Sequence, residues 1–165
     1  MVGALHAGPA RELVRACKYR GHRGAARILA QRLLASPGWP AGPWLVVPVP
    51  LHRDRHRARG FNQAERLARA VARASGWTLA RALRRTRPTP PLHGLAPAAR
   101  TVAVAGAFGG SAAVAGARVL LVDDVLTTGA TAAACAAALS DSGATTVWLA
   151  AATRAPLPAL SSREA

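Results

Sequence analysis

Two adjacent carboxylates, Asp123 and Asp124, stand just ahead of the stretch Thr127-Thr128-Gly129-Ala130-Thr131. Each residue type in that stretch suits an anion. Backbone N–H groups at the start of a helix have no intrahelical partner and favour negative charge. Thr127, Thr128 and Thr131 add hydroxyl donors, Gly129 lets the backbone approach a phosphate closely, and Ala130 keeps the space open. The two carboxylates can accept hydrogen bonds from the vicinal hydroxyls of a ribose. Together they would grip a ribose 5-phosphate from both ends. The loop is neither a Walker loop nor a Rossmann fingerprint, because the chain contains neither GxxxxGK nor GxGxxG.

A second concentration of charge lies at His52, Arg53, Arg55, His56, Arg57 and Arg59, followed by Gly60. Guanidinium groups bind phosphate oxygens in a bidentate way. Arg59 is the preferred contact, since Gly60 permits close backbone approach. For the other arginines, solvated surface and nucleic-acid contact both stay open. His52 and His56 are read as polar loop residues. Lys18, Tyr19 and Arg20 fit the cationic end of a helix, which the helix dipole favours. Arg84, Arg85, Arg87, His93 and Arg100 fall in or beside a proline-rich segment.

The elements that must position these residues follow from periodicity. Helices are expected near residues 10–18 and 23–35. Leu13, Val14 and Cys17 share a face of the first, and Ile28, Leu29, Leu33 and Leu34 form the stripe of the second. Ser36-Pro37-Gly38 ends the second helix. Trp44 to Val49 reads as a buried strand stopped by prolines. A basic loop from Leu51 to Gly60 and a helix from Phe61 to Ser75 come next. Trp77 to Leu79 reads as a short strand. Residues 81–104 hold little regular pattern and read as a long flexible loop, which in a compact domain is usually functional or disordered. Val119 to Asp123 is a strand buried on both faces, Thr127 to Ser140 contains a helix, and Thr145 to Ala152 is the last strand. Trp44 and Trp148 are expected in the core. Strands alternating with helices indicate an α/β fold with a doubly wound, mainly parallel sheet.

About half of the 165 residues are apolar, mostly Ala and Val, and one domain over 1–165 with a disordered tail at 154–165 is expected. The net charge is +15, and Lys18 is the one lysine among 22 basic residues. Such a balance attracts nucleic acid, phosphorylated ligands or anionic lipid, although a GC-rich genome that favours Arg and Ala codons produces the same bias. Cys17 and Cys135 form no CxxC pair and read as reduced thiols of a cytoplasmic protein. No secretory signal or membrane insertion is expected.

VLLVDDVLTTGAT, residues 119–131, is similar to the 5-phosphoribosyl 1-pyrophosphate (PRPP) motif of type I phosphoribosyltransferases. CKYRGHRGAARILA (17–30), VPVPLHRDRHRARGFNQAERLA (47–68) and LRRTRPTPPLHGLAPAARTVAVAGAF (83–108) resemble segments of the ComF family. The resemblance implies a phosphoribosyltransferase fold with a lid loop, and a link to DNA uptake in natural competence. It implies Asp123 and Asp124 as catalytic groups, and a 5-phosphate on Thr127, Thr128, Gly129, Ala130 and Thr131. It places pyrophosphate on His52, Arg53, Arg59 and Gly60, and Lys18, Arg84, Arg87 and Arg100 in a lid or second site. PRPP with Mg²⁺ held mainly through the substrate is the implied ligand, with single-stranded DNA and a DNA-translocating helicase as further partners. Many members begin with a zinc ribbon; this sequence shows none, and no zinc is expected. It also has Leu92 where the family usually has Gln, and Ala103 near a usual Asn. Two functional readings follow. One is a pentosyl-transferring enzyme using PRPP. The other is a non-catalytic, single-stranded DNA-binding module that retains the phosphate pocket.

Overall fold

A computed structural model describes residues 2–4, 6–19, 23–89 and 95–156. The helices are α1 (Gly8–Tyr19), α2 (Arg23–Leu34), α3 (Arg53–Arg59), α4 (Gln63–Ser75), α5 (Pro97–Val104) and α6 (Ala130–Asp141). The strands are β1 (Leu45–Pro48), β2 (Thr78–Leu79), β3 (Leu83–Arg85), β4 (Phe108–Gly110), β5 (Arg118–Leu126) and β6 (Thr146–Arg154).

The main sheet is wholly parallel, in the order β2-β1-β5-β6. Val46, Val47 and Val119 to Val122 are fully buried, as expected for inner strands covered on both faces. On one face, Val46, Leu120 and Val122 pack with Leu29 and Leu33 of α2 and Leu67 and Val71 of α4. On the other, Val47, Val119 and Leu121 pack with Cys135 and Leu139 of α6 and Phe108 of β4. The alternation of side chains along a strand divides the core in two.

Local signals explain the limits of α4. The Asn62 side chain accepts from the Ala64 N–H at 3.0 Å and donates to the Val49 carbonyl at 2.9 Å. The helix therefore starts at Gln63 rather than Phe61, pinned to the end of β1. Gly76 closes it in the left-handed conformation, φ 73°.

Four expectations need correction. The basic segment after β1 is a short helix, because arginine and alanine are good helix formers and charge alone does not make a loop. The 81–104 segment holds β3 and α5, and β3 pairs antiparallel with β4 (Leu83 with Gly110, Arg85 with Phe108). In α2 the buried stripe runs through Ala25, Ala26, Leu29, Ala30 and Leu33, leaving Ile28 42% exposed. The small alanines make the close approach to α4. Trp148 is 38% exposed, because β6 is an edge strand; its ring meets the buried Trp44 edge-on, centroids 5.7 Å apart. Leu92, His93 and residues 157–165 of the tail lie outside the described residues.

The small sheet rests on α6 through Gly110. A Cβ added there would stand 2.6 Å from the backbone oxygen of Ala138. Gly110→Ala is therefore expected to destabilise the domain by about 1–3 kcal/mol, read as a lower denaturant midpoint at unchanged slope.

Candidate functional site

In the main sheet the chain moves from β1 to β2 on one side and then returns to place β5 on the other side of β1. The helix following β1 that packs on the sheet, α4, lies on one face, and α6, following β5, lies on the opposite face. The boundary between β1 and β5 is thus a topological switch point, where connections diverge and leave a crevice beyond the strand ends. Pro48 pairs with Val122 in register. The segment after β1 and the carboxylates of β5 therefore emerge at the same edge.

β5 runs on through both carboxylates to Leu126, because β6 continues to pair with it: Asp123 opposite Ala151, Val125 opposite Thr153, Leu126 opposite Arg154. Thr127 and Thr128 follow, both exposed. Gly129 holds the left-handed conformation, φ 85°, and no side chain caps α6. Ala130 is buried as the first residue of α6, and Thr131 is half-buried. The outcome is a helix start with open N–H groups, flanked by threonine hydroxyls, at the carboxyl edge of an inner strand.

The two carboxylates differ. The charge of Asp123 acts on Cys135 of α6, and that of Asp124 acts on Cys17 of α1, so the two residues sit toward opposite faces of the sheet. They still influence each other. Burial raises the Asp123 carboxyl well above the ordinary carboxylate range, and the charge of Asp124 and a side-chain hydrogen bond to it add to that. The Asp123 Oδ1 accepts from the Asp124 N–H at 2.8 Å. Asp124 is buried, and its Oδ2 lies 3.0 Å from the Lys18 ammonium. Burial first, then the Asp124 charge, pushes the Cys17 thiol up to about 11, and burial pushes Cys135 well up too. Both cysteines are unbridged, and neither is a thiolate at neutral pH.

Among the described residues, Lys18 makes an ion pair with Asp124. The other predicted residues are distributed around them. Arg59 is half-buried at the end of α3, and its Nη1 donates to Gln63 Oε1 at 3.2 Å. Gly60 follows with φ 72°. His52 is half-buried just before α3, and the Arg53 side chain lies outside the described residues. Arg84 is exposed on β3. Arg87 reaches the Ala105 carbonyl at 2.5 Å and Arg100 the Leu95 carbonyl at 2.9 Å. These last two tie the segment around α5 to itself. Ala103 lies within α5.

One chain of contacts was not foreseen. Thr153 is fully buried, and its hydroxyl donates to the Asp124 carbonyl at 3.3 Å. His6 Nδ1 lies 2.8 Å from the same hydroxyl. His6 and Thr153 are 147 positions apart, so no local pattern could link them.

The fold and the switch-point crevice define the class: this is a domain with the type I phosphoribosyltransferase fold. Among solved structures it is similar to the glutamine phosphoribosylpyrophosphate (PRPP) amidotransferase from B. subtilis complexed with ADP and GMP, with TM-score 0.55, 23% identity and coverage of 79% of this chain and 26% of that one. It is also similar to a structure described as the allosteric regulatory enzyme of purine biosynthesis, with TM-score 0.53, 23% identity and the same two coverages. At such identities the likeness is one of fold. No family model matches the chain.

In sequence, it is similar to the DNA utilization protein YhgH of Salmonella typhi, 39% identical over 127 residues, which is 74% of this chain and 55% of that protein. The protein of the same name from Escherichia coli (strain K12) is 38% identical over 107 residues, 64% of this chain and 47% of that protein. The chain thus spans about half the length of these curated relatives. Among the described residues, no helix is long and apolar enough to cross a membrane.

Proposed function

We propose that this domain is a ComF-type protein that binds the ribose 5-phosphate part of PRPP at the β1–β5 switch point and serves DNA uptake. One observation carries the reading: the uncapped start of α6, with exposed Thr127 and Thr128, opens at the carboxyl edge of the switch point beside two carboxylates. The 5-phosphate would sit on the N–H groups and hydroxyls of Thr127 to Thr131. The ribose hydroxyls would donate to Asp123 and Asp124. Arg59, Gly60, His52 and Arg53, at the same edge, would face the pyrophosphate, where negative charge grows as the anomeric bond breaks. The site offers carboxylate and hydroxyl oxygens, the donors a hard cation prefers, so Asp123 and Asp124 fit Mg²⁺ held mostly by the substrate. When bound, Mg²⁺ would neutralise the leaving pyrophosphate. The DNA link, and a DNA-translocating helicase as partner, draw on the ComF resemblance and on relatives described as DNA utilization proteins.

Titration calorimetry with PRPP tests the pocket. Saturable heat that requires Mg²⁺ is expected; no heat at millimolar PRPP overturns it. A second reading is a binding module that keeps the pocket without turnover and holds single-stranded DNA. The net charge of +15 and the exposed Arg57, Arg84 and Arg87 favour it. It requires oligonucleotide affinity that falls steeply with salt, together with PRPP binding and no pyrophosphate release.

A further inference from the structure

On the α1 side of Asp124, a cavity of about 340 Å³ opens, lined by His6, Arg11, Val14, Arg15 and Lys18. Arg11, Arg15 and Lys18 are spaced four and three apart, so they stack along one face of the helix. Like charges at this spacing repel modestly and together attract an anion. The fixed acids near them are few. Arg15 meets Glu12 at 3.6 Å with both side chains more than half exposed, a pair worth little. Lys18 is held by Asp124.

His6 adds a titratable group. Its Nδ1 lies 2.8 Å from the Thr153 hydroxyl, which also lies 3.3 Å from the Asp124 carbonyl. Burial holds His6 below its ordinary value, Lys18 and Arg11 push it further down, and Asp124 opposes them. A bound anion would act in the direction of Asp124 and raise it.

We propose that this cavity is a second phosphate site, separate from the Thr127–Thr131 loop, in which Arg11 and Arg15 clamp the oxyanion and Lys18 is shared between it and Asp124. Arginine forks match phosphate oxygens, and the cavity has room for one phosphate group with its hydration. The group can belong to a free phosphate compound or to a nucleic-acid backbone. The site needs nothing from the PRPP reading, since it is built from α1 and the N-terminal segment. It does tie the two regions together. Phosphate and Asp124 compete for one ammonium, so occupancy of the α1 cavity leaves the Asp124 carboxylate freer for other donors.

The test is NMR of the His6 imidazole in the full chain, titrated with inorganic phosphate. A saturable shift is expected, with the His6 midpoint moving to higher pH and phosphate affinity rising as pH falls through it. Arg11→Gln/Arg15→Gln should abolish the saturable shift. Both arginines are exposed, so an unchanged melting temperature will confirm that the fold survives. Thr127→Ala/Thr128→Ala should leave the shift intact. Asp124→Asn, which releases Lys18, should tighten phosphate several-fold at the His6-reported site. A His6 signal that ignores phosphate, or an arginine variant that responds like the wild type, overturns the site. Unchanged affinity in Asp124→Asn overturns the sharing of Lys18. A parallel titration with a single-stranded oligonucleotide separates the sources: displacement of phosphate at His6 assigns the site to a nucleic-acid backbone, and no displacement assigns it to a free phosphate ligand.

Discussion

Saturating PRPP with Mg²⁺ is expected to raise the melting temperature of the wild-type domain and to leave that of the Asp123→Asn/Asp124→Asn double variant where it was. A ligand present at a hundred times its Kd stabilises the folded state by about 2.7 kcal/mol. For a domain of this size that is roughly 5–10 °C. Asparagine keeps the shape but removes the charge that a ribose hydroxyl and the cation would address. The same substitution acts in the opposite direction without ligand. The Asp123 carboxyl is held above its ordinary value of 3.8, burial being the chief cause, so the folded chain binds its proton more tightly than the unfolded chain does. The stabilisation that this proton provides is complete below pH 3.8 and is lost as pH rises through the higher native value. At neutral pH the unfolded chain has released this proton, so folding must either take it up again or bury a charge, and either is a cost. Asp123→Asn removes it, so the ligand-free variant should melt above the wild type at neutral pH and lose that advantage toward pH 4. Thermal melts between pH 4 and 8, with and without PRPP, separate the two effects. Identical ligand-free curves for the wild type and Asp123→Asn would refute that cost; a ligand-induced rise that survives in the double variant would refute the ribose contact. A site that weakens the empty fold and is stabilised by its ligand is a common trade in binding proteins.

What could be read in advance was local. The strand Val119 to Val122, the carboxylates and the Thr-Thr-Gly-Ala-Thr turn are contiguous, and each residue's role depends on its neighbours along the chain. Their surroundings were less legible because they depend on distant partners. β3 becomes a strand only because Phe108 to Gly110 lies beside it, and β4 itself offers two glycines and no alternation. The alanine face of α2 carries little apolar signal, yet Ala26 and Ala30 are buried, since small side chains let two helices approach. The Arg-rich segment after β1 reads as loop by charge and as helix by propensity, and propensity prevailed. Around the site, the motif flagged Lys18 without a partner. Nothing in spacing tells that its ammonium reaches Asp124, or that His6 and Thr153 support the same residue from the far end of the chain. These links arise from parallel pairing of β5 with β6 and from the N-terminal segment lying along β6, where the Gly3 N–H donates to Ala151 and the His6 N–H to Arg154.

Lys18→Met should be among the most damaging single changes available on α1, and it should be far worse than Asp124→Asn. The Lys18 and Asp124 side chains are 22% and 10% exposed, so the carboxylate is almost wholly out of water. Removing one partner of a fully buried pair typically costs 3–5 kcal/mol, because the remaining charge stays desolvated. The residual exposure here lowers that to about 1–3 kcal/mol, by discounting the same penalty for solvent. The reverse substitution is milder. An ammonium on a four-carbon stem can reorient toward water, whereas Asp124 is fixed in a strand by its pairing. A double-mutant cycle measures the difference. Lys18→Met/Asp124→Asn should recover most of the stability lost in Lys18→Met, since no uncompensated charge remains. Salt should change the wild-type value little, because a buried pair is poorly screened. If Lys18→Met lies within half a kcal/mol of wild type, on the scale of an exposed pair, the ion pair is a surface feature. In that case α1 is held in place by its apolar face, Leu13, Val14, Ala16 and Cys17.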